Sequence, residues 1–494
     1  MKKLLAFVCI FAMFLTCCAC RDSEPETSTY TYYEDGDSGN GNAGKKSDGD
    51  SGDNMSEQTN KPVENPLKAD LKGATIVIYA VDNTFTPDSK ASKTDAAKAK
   101  IIEQLQKDLN CKFAVTKTDV DKLQKLAAAS AASGKAIANI ISTDISRLGY
   151  FITSNLVADM GKISSVDLSK DYMNAAGLPE ATRFGNGRYA VAADATVGSG
   201  IVYNKRILKE LGYGDNYLYD LVDQGKWTYS EYRRLSKQAT KDLDGKPGMS
   251  GEDQWGNVVM DRDTGATVDL LVSANTPMIK LSDGKLVSNM SSPNIAKVAN
   301  LMRDTYITDG TNYRLNGSSV TGKKAHEAFK SGKVFMEYTT TDVMSTYSTM
   351  KDEFGFIPTP KFDGANSYSC ALDWNYKGIM IPAGQSATDQ YNAGVVVQAY
   401  MYLMKDIYKT KRNEFVNRYF CDTKSGENFD LVVKGVTVHP AQCYAKMNET
   451  VLTGTYRVFW NYISRGVSVS SSIESTSSSL NKALSDWNTK IKDK

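Results

Sequence analysis

The residues of this chain that could do chemistry lack the common catalytic arrangements. The chain has only two histidines, His326 and His439, and neither has a recognisable nucleophile partner. It contains no G-x-S-x-G, H-E-x-x-H or P-loop pattern. Paired carboxylates could still support glycoside hydrolysis, and sequence alone leaves that alternative open. The absence of a catalytic motif favours binding over bond breaking.

Metal and thiol chemistry are also disfavoured. The acidic loop from Asp242 to Asp253 suggests calcium, but Lys246 and Pro247 interrupt it and its spacing does not fit the twelve-residue EF-hand loop. Four cysteines lie beyond the N-terminal segment, far apart and without a C-x-x-C pair, so a zinc site is not expected; they are Cys111, Cys370, Cys421 and Cys443. We predict no metal and no cofactor, and a Cys421–Cys443 disulfide stays open.

The first twenty residues form an export signal. Lys2 and Lys3 precede the apolar run Leu4–Thr16, which is shorter than the ~20 residues a membrane-spanning helix needs. The segment resembles a bacterial lipoprotein signal (residues 1–19), in which a cysteine after a small residue is lipidated. Cys20, after Ala19, is the preferred site, with Cys18 in Leu15–Cys18 as second choice and cleavage without lipidation as the alternative.

Composition predicts a tether and excludes some partners. Residues 20–69 are rich in Gly, Ser, Asp and Asn and poor in aliphatic residues, which predicts a disordered tether. The formal net charge is +2, and removing Lys2 and Lys3 leaves a nearly neutral chain. Neither nucleic acid nor an anionic membrane surface is therefore an expected partner.

Beyond the tether, predicted strands and helices alternate. The runs 74–80, 111–115 and 138–142 have strand character, and 96–110 and 120–132 have helical spacing. This alternation predicts an α/β fold with a mainly parallel sheet, whose ligands bind beyond the carboxyl ends of the strands. Further along, Thr228 to Glu231 forms a capping box, with Trp227 before it as a hydrophobic staple.

Several short motifs in a fixed order carry a family resemblance. They are Gly187–Val191, Tyr203–Lys205, Trp227–Glu231, Lys241–Gly245, Gln254–Gly256, Ala328–Met336 and Gly378–Pro382. In this order they resemble bacterial extracellular solute-binding proteins of family 1, the mostly sugar-binding receptors of ABC importers. The resemblance covers nearly all of residues 70–494.

The resemblance implies a two-lobed, periplasmic-binding-protein-like fold of type II, with helices on both faces of each sheet and a hinge between the lobes. Chain crossings are expected near Asp194–Gly200, Gly332 and Tyr376–Ile379. Lobe one would comprise 70–195 plus 333–377, and lobe two 196–332 plus 378–494. A ligand between the lobes would favour the closed state because it contacts both.

A sugar site would combine flat aromatic faces with side chains that hydrogen-bond hydroxyl groups. The aromatic candidates are Trp255, Trp374 and Trp460, each with core packing as the alternative. The polar candidates follow strands or flank crossings, with solvated turn positions as the alternative for those after strands; they are Asp82, Asn83, Asp144, Asp194, Tyr203, Glu337 and Tyr338. Asn204 is interpreted as a helix N-cap.

The function implied is a lipid-anchored receptor on the extracytoplasmic face of the cell membrane. It would act as a monomer, capture a mono- or oligosaccharide and deliver it to an ABC transporter permease. A tethered surface glycosidase, a receptor for a non-sugar solute, and an adhesin or sensor component are the alternatives.

Overall fold

The computed structural model describes residues 68–194, 198–259, 264–315, 318–320 and 322–490. The predicted export signal, Cys20 and nearly all of the predicted tether lie outside these residues. Within the described ranges, no helix combines the length and the apolar character that a membrane span requires.

Fifteen strands and seventeen α-helices are present in the described ranges. The strands are β1 Ala74–Ala80, β2 Cys111–Lys117, β3 Ile140–Asp144, β4 Val191–Ala192, β5 Ser199–Asn204, β6 Trp255–Val258, β7 Ile279–Ser282, β8 Lys285–Ser288, β9 Arg314–Leu315, β10 Ser318–Ser319, β11 Val334–Thr340, β12 Phe354–Pro358, β13 Cys370–Ala371, β14 Lys377–Met380 and β15 Val436–Thr437. The helices are α1 Lys93–Asp108, α2 Val120–Ala132, α3 Leu148–Thr153, α4 Leu178–Ala181, α5 Lys205–Glu210, α6 Tyr217–Asp223, α7 Tyr229–Ala239, α8 Thr264–Ser273, α9 Pro293–Arg303, α10 Gly322–Lys330, α11 Ala387–Met404, α12 Ile407–Arg418, α13 Thr423–Lys434, α14 Pro440–Tyr444, α15 Glu449–Gly454, α16 Tyr456–Arg465 and α17 Val469–Asn488.

Local sequence signals explain where many elements begin. Ser92 caps α1, because its Oγ accepts the amide of Asp95 at 2.9 Å. Asp119 caps α2 through Lys122 at 2.7 Å, and Asn204 caps α5, as predicted. Trp227 is fully buried and its ring lies 6.0 Å from that of Tyr232 at the fourth position of α7, which confirms the hydrophobic staple.

The first sheet has the strand order β2-β1-β3-β14-β4. Strand β1 pairs in parallel with both β2 and β3, whereas β14 is antiparallel to β3 and to β4. Its core holds Ile76, Ile78 and Ile379 against Leu105 of α1 and Val396 of α11. The early strands and helices of this layer confirm the predicted α/β alternation.

The second sheet has the order β12-β5-β11-β6. Strand β5 is antiparallel to both β11 and β12, and only β11 and β6 pair in parallel. Both sheets are therefore mixed, so the expected mainly parallel pairing holds for β1, β2 and β3 but not for the second sheet.

The assignment of the later segments to the two sheets corrects the predicted one. The segment 333–377 was expected beside β1, yet its strands β11 and β12 pair with β5 in the second sheet. Conversely, β14 and α11, nearly all within the predicted second segment 378–494, belong to the first sheet and its core. The reason is physical: β11 is buried on both faces at Val334–Met336, so its sequence fits the interior of either sheet.

The cysteines answer the open question of a disulfide, and the C-terminal segment is helical. Cys421 is exposed, Cys443 is buried and both are free thiols, so they form no disulfide in this structure. The tail helix α17 begins at Val469, is capped by Ser468 and includes the serine-rich stretch.

Candidate functional site

Three segments meet at the carboxyl end of β3. The turn Ile145–Arg147 follows β3 directly, and the segment 373–376 precedes β14. Because β14 is antiparallel to β3, with Lys377 opposite Asp144, the residues before β14 lie beside those after β3. Two backbone hydrogen bonds join them, Ile145 N to Tyr376 O at 2.8 Å and Ser146 N to Trp374 O at 3.3 Å. The turn Ala445–Met447 packs against the first segment and completes the group.

An ion pair lies at the centre of this group. Lys377 Nζ is 2.7 Å from Asp144 Oδ1, and the two side chains are 17% and 20% exposed. Asp373 lies nearby, and its Oδ1 accepts the amide of Asn375 at 2.8 Å. Burial raises the pKa of Asp373, while Lys446 and Lys377 act in the opposite direction. The group therefore offers both acceptors and donors to a polar ligand.

Lys446 projects over the ring of Trp374. Its Nζ lies 3.7 Å from the ring centroid, within cation–π distance. Burial lowers the pKa of Lys446 to about 8, Asp373 and Asp144 oppose that shift, and Arg147 adds to it. The side chain nevertheless keeps solvent-exposed surface. Lys446 is therefore accessible from solvent.

Trp374 provides the apolar part of the group. It is 5% exposed, and its ring centroid lies 4.4 Å from that of Tyr456 on α16, with the planes inclined by 45°. Trp460 follows Tyr456 by four residues and so lies one turn further along the same face of α16. It is half-buried, with the Arg465 guanidinium 4.3 Å from its ring centroid. The structure thus brings the predicted Trp374 and Trp460 to one neighbourhood.

The other polar candidates of the first sheet lie at the same edge. Strands β1, β3 and β4 run in one direction, so their carboxyl ends share this edge: Asp144 ends β3, and Asp82, Asn83 and Asp194 follow β1 and β4. Each makes a local contact: Asp82 Oδ1 accepts the Thr84 amide at 3.0 Å, Asn83 Oδ1 accepts Lys117 Nζ at 3.0 Å, and Asp194 lies 3.0 Å from Lys98 Nζ. The clustering predicted from strand order is present, and ligand contact stays a prediction.

The candidates of the second sheet are placed differently. Tyr203, Trp255 and Glu337 are 0%, 4% and 1% exposed. Tyr203 packs beside Tyr219, and Trp255 donates through Nε1 to the Ser250 carbonyl at 2.8 Å. Their burial places them in the core, which for Trp255 was the stated alternative.

Two second-sheet candidates take part in internal hydrogen bonds. Glu337 Oε1 lies 2.5 Å from His326 Nδ1. The Tyr338 hydroxyl donates to Asp269 Oδ2 at 2.9 Å and also lies 2.9 Å from Ser199 Oγ. These bonds tie the second sheet together and give the side chains structural partners.

Sequence reasoning missed four residues of the group: Arg147, Asp373, Lys377 and Lys446. Asp373 and Lys377 flank the aromatic cluster around Trp374, and that proximity was a usable signal. Arg147 follows Asp144 by three residues and could have been found as part of the same loop. Lys446 carries no local signal, because only the tertiary contact of its turn with Ile145–Arg147 brings it to the site.

The acidic loop has an internal explanation. Carboxylate oxygens of Asp242, Asp244 and Asp253 lie within 4.8 Å of one another. Asp253 accepts backbone amides from Leu243 at 2.7 Å and from Ser250 at 2.6 Å. These hydrogen bonds account for the convergence of the loop on the buried Asp253.

Comparison with known proteins identifies the fold. No family model matches the chain, and no curated protein matches it. Solved structures of solute-binding proteins do match, with the chain spanning nearly the whole length of each.

One is a cyclo/maltodextrin-binding protein complexed with maltotetraose (17% identity, TM-score 0.58, 83% of this chain and 97% of that one). A second is the galacto-N-biose-/lacto-N-biose I-binding protein of an ABC transporter from Bifidobacterium longum (13%, 0.58, 84% and 98%). A third is the cyclic α-maltosyl-1,6-maltose binding protein from Arthrobacter globiformis (12%, 0.58, 84% and 100%). At these identities the likeness shows the fold, and it confirms the predicted fold class.

Proposed function

We propose that this protein is a carbohydrate receptor of an ABC transporter, which captures a mono- or oligosaccharide outside the membrane and delivers it to the permease. The observation that carries the proposal is the fold, shared over nearly their whole length with proteins that bind oligosaccharides. Because one fold can serve many functions, the side chains at the edge of the first sheet provide the second support.

The chemistry of that edge suits a sugar. Asp144 is a carboxylate acceptor and Lys377 an ammonium donor, held 2.7 Å apart, so together they can bind two neighbouring hydroxyl groups. The half-buried Trp460 supplies apolar surface for C–H faces, and the buried Trp374 supports the Lys446 side chain beside it. Binding requires these groups to exchange water for sugar hydroxyls, and no bond is broken. The protein is on this proposal a binding protein without enzymatic activity.

Ligand capture is proposed to close two lobes about a hinge. One lobe would be built on the first sheet and the other on the second. The chain passes from the first sheet to the second after β4, and it returns to the first sheet in the segment between β12 and β14. Such connections are where a hinge would lie. A ligand that touches both lobes favours closure by its differential affinity for the closed state.

Anchoring belongs to the same proposal. The lipoprotein-like signal, with Cys20 as the lipidated residue, would hold the receptor on the extracytoplasmic face of the cell membrane as a monomer. The tether of residues 20–69 would raise its effective concentration near the permease. Mass spectrometry of the N-terminal peptide from the membrane fraction tests this; an unmodified Cys20 would contradict it.

A thermal-shift screen of mono- and oligosaccharides tests the receptor function. A ligand at ~100 times its dissociation constant adds ~2.7 kcal/mol to the free energy of unfolding, so binding raises the melting temperature measurably. Stabilisation by a peptide or a metal ion, with none by any carbohydrate, would refute the sugar assignment. Incubation with an oligosaccharide that stabilises the protein, followed by product analysis, separates a receptor from a glycosidase.

A further inference from the structure

We propose that the site selects acidic carbohydrates, with Arg147 and Lys446 together binding a carboxylate or sulfate group of the saccharide. This inference rests on the proposed receptor function and names the substrate class of the same site. It follows from two cations that meet at the edge of the first sheet and form no ion pair with any carboxylate in the described part of the chain.

Arg147 is the first of these cations. It ends the turn after β3 and is half-buried. Its guanidinium has no hydrogen-bond or ion-pair partner among the residues that the structure describes. Other arginines of similar burial are paired: Arg233 with Asp309 at 2.6 Å and Arg412 with Asp430 at 2.6 Å. A partly desolvated guanidinium with free donors matches the planar geometry of a carboxylate or sulfate.

Lys446 is the second cation. Its ammonium lies over the Trp374 ring, and it has no ion-pair partner within the described ranges. Arg147 is close enough to disfavour its protonated form, which is one reason that the pKa of Lys446 falls to about 8, after burial as the larger cause. An anion placed between the two cations would relieve this repulsion.

The neighbouring acidic groups leave room for that anion. The charged groups acting on Lys446 are Arg147, Asp373 and Asp144. Asp144 is already paired with Lys377, and Asp373 accepts the amide of Asn375 at 2.8 Å. With Lys446 and Lys377 included, these groups are three cations against two carboxylates, so positive charge is in excess beside Arg147 and Lys446.

Isothermal titration of the full chain tests the proposal with saccharides that differ only in charge. The probes are an oligogalacturonate, its methyl ester, a sulfated oligogalactoside and the neutral oligogalactoside. We expect an acidic probe to bind at least tenfold more tightly than its neutral counterpart. The carboxylate and sulfate arms show which anion fits better. Equal affinity for neutral and acidic probes would overturn the inference and leave the receptor function intact, whereas failure of all carbohydrates would remove both.

Variants assign the effect to the two cations. Arg147→Gln and Lys446→Gln should each lower the affinity for the acidic probe about tenfold or more, and that for the neutral probe less than threefold. Lys405→Gln is the matched control, because Lys405 also lies over an aromatic ring, 3.6 Å from the Tyr402 centroid, but outside the group. Equal losses for both probes would mean that the cations bind hydroxyl groups, and would overturn the inference.

Proton linkage gives a second readout, which is measured first on the wild-type protein. An anion beside Lys446 should raise its pKa, so binding near pH 8 takes up a proton. Titration of the wild-type protein in two buffers of different ionisation enthalpy measures this uptake. It should disappear in Lys446→Gln, and persistence of the uptake in that variant would contradict the assignment of Lys446.

Discussion

Two groups of ionisable side chains, one on each sheet, use charge in opposite ways. At the edge of the first sheet, Arg147 and Lys446 are reachable from solvent and have no carboxylate partner in the described ranges. Beneath the second sheet, Glu337 of β11 and His326 of α10 form a closed network with Tyr347, whose hydroxyl lies 3.0 Å from His326 Nδ1. Uncompensated charge near water is available to a ligand, whereas compensated charge in the core holds elements together.

The two groups should respond differently when one of their side chains is removed. Glu337 is 1% exposed, and one of its oxygens, Oε2, has no hydrogen-bond partner among the described residues. Removing a partner there leaves a buried charge without compensation. Removing a cation at the edge leaves groups that water can solvate. The first sheet's group should therefore control affinity, and the second sheet's group should control stability.

The largest expected effect is on the buried network. His326→Ala should lower the free energy of unfolding by about 3–5 kcal/mol, because Glu337 loses the partner of its buried carboxyl group. Urea denaturation measures this, and saccharide affinity of the folded fraction should stay unchanged. The double variant His326→Leu with Glu337→Leu should lose less, since no unpaired charge remains. A saccharide affinity that falls with His326→Ala would erase the distinction between the two groups.

The second effect is on the edge. Lys377→Met should weaken saccharide binding about tenfold and lower the free energy of unfolding by about 1 kcal/mol, since it removes the partner of Asp144. Lys205→Met is the matched control, because Lys205 pairs with Asp422 at 2.5 Å with side-chain exposures of 14% and 24%. It should cost comparable stability with no change in affinity. Similar affinity losses for both variants would argue against a site at this edge.

A smaller effect is expected from one hydroxyl group. Tyr347→Phe removes the hydroxyl that contacts His326 Nδ1 and donates to Thr339 Oγ1, each at 3.0 Å. Loss of hydrogen bonds of this kind costs about 0.5–1.5 kcal/mol each. Thermal unfolding should show that loss, and calorimetric titration should show unaltered saccharide binding. A stability equal to wild type would mean that the hydroxyl is not part of the network.

The pH dependence of stability provides the finest distinction. Burial alone would lower the pKa of His326, but its hydrogen bond and charge interaction with Glu337 outweigh burial and raise that pKa. Burial raises the pKa of Glu337. Both groups bind protons more tightly in the folded state. Their contribution to the free energy of unfolding is therefore full below the pKa values of the unfolded chain, and it declines as pH rises through the pKa values of the folded protein.

Thermal melts at pH 5.5, 7 and 8.5 check this linkage. The wild-type protein should lose stability with rising pH relative to the double variant His326→Leu with Glu337→Leu. Parallel pH profiles for the two proteins would show that the pair does not titrate as proposed.

The sequence predicted well what local interactions determine. Strands β1 to β3 and helices α1 and α2 appear close to their predicted bounds, because their hydrophobic spacing and caps lie within each element. Strand order then brought Asp82, Asp144 and Asp194 to one edge. The sheet that β11 joins was not predictable, since a strand buried on both faces suits either sheet. Lys446 reaches the site only through tertiary packing, so no local pattern could indicate it.

Strand β14 closes the first sheet from a late position in the chain. Between β3 and β14, the chain first supplies all four strands of the second sheet. A nascent chain that ends before Lys377 therefore contains β1, β2 and β3 with Asp144, but it lacks the lysine that pairs with Asp144. Closing so long a loop is entropically costly and slow, which makes this strand pairing a late folding step. Saccharide binding would thus report that the whole chain has folded, with both sheets assembled in their interleaved order.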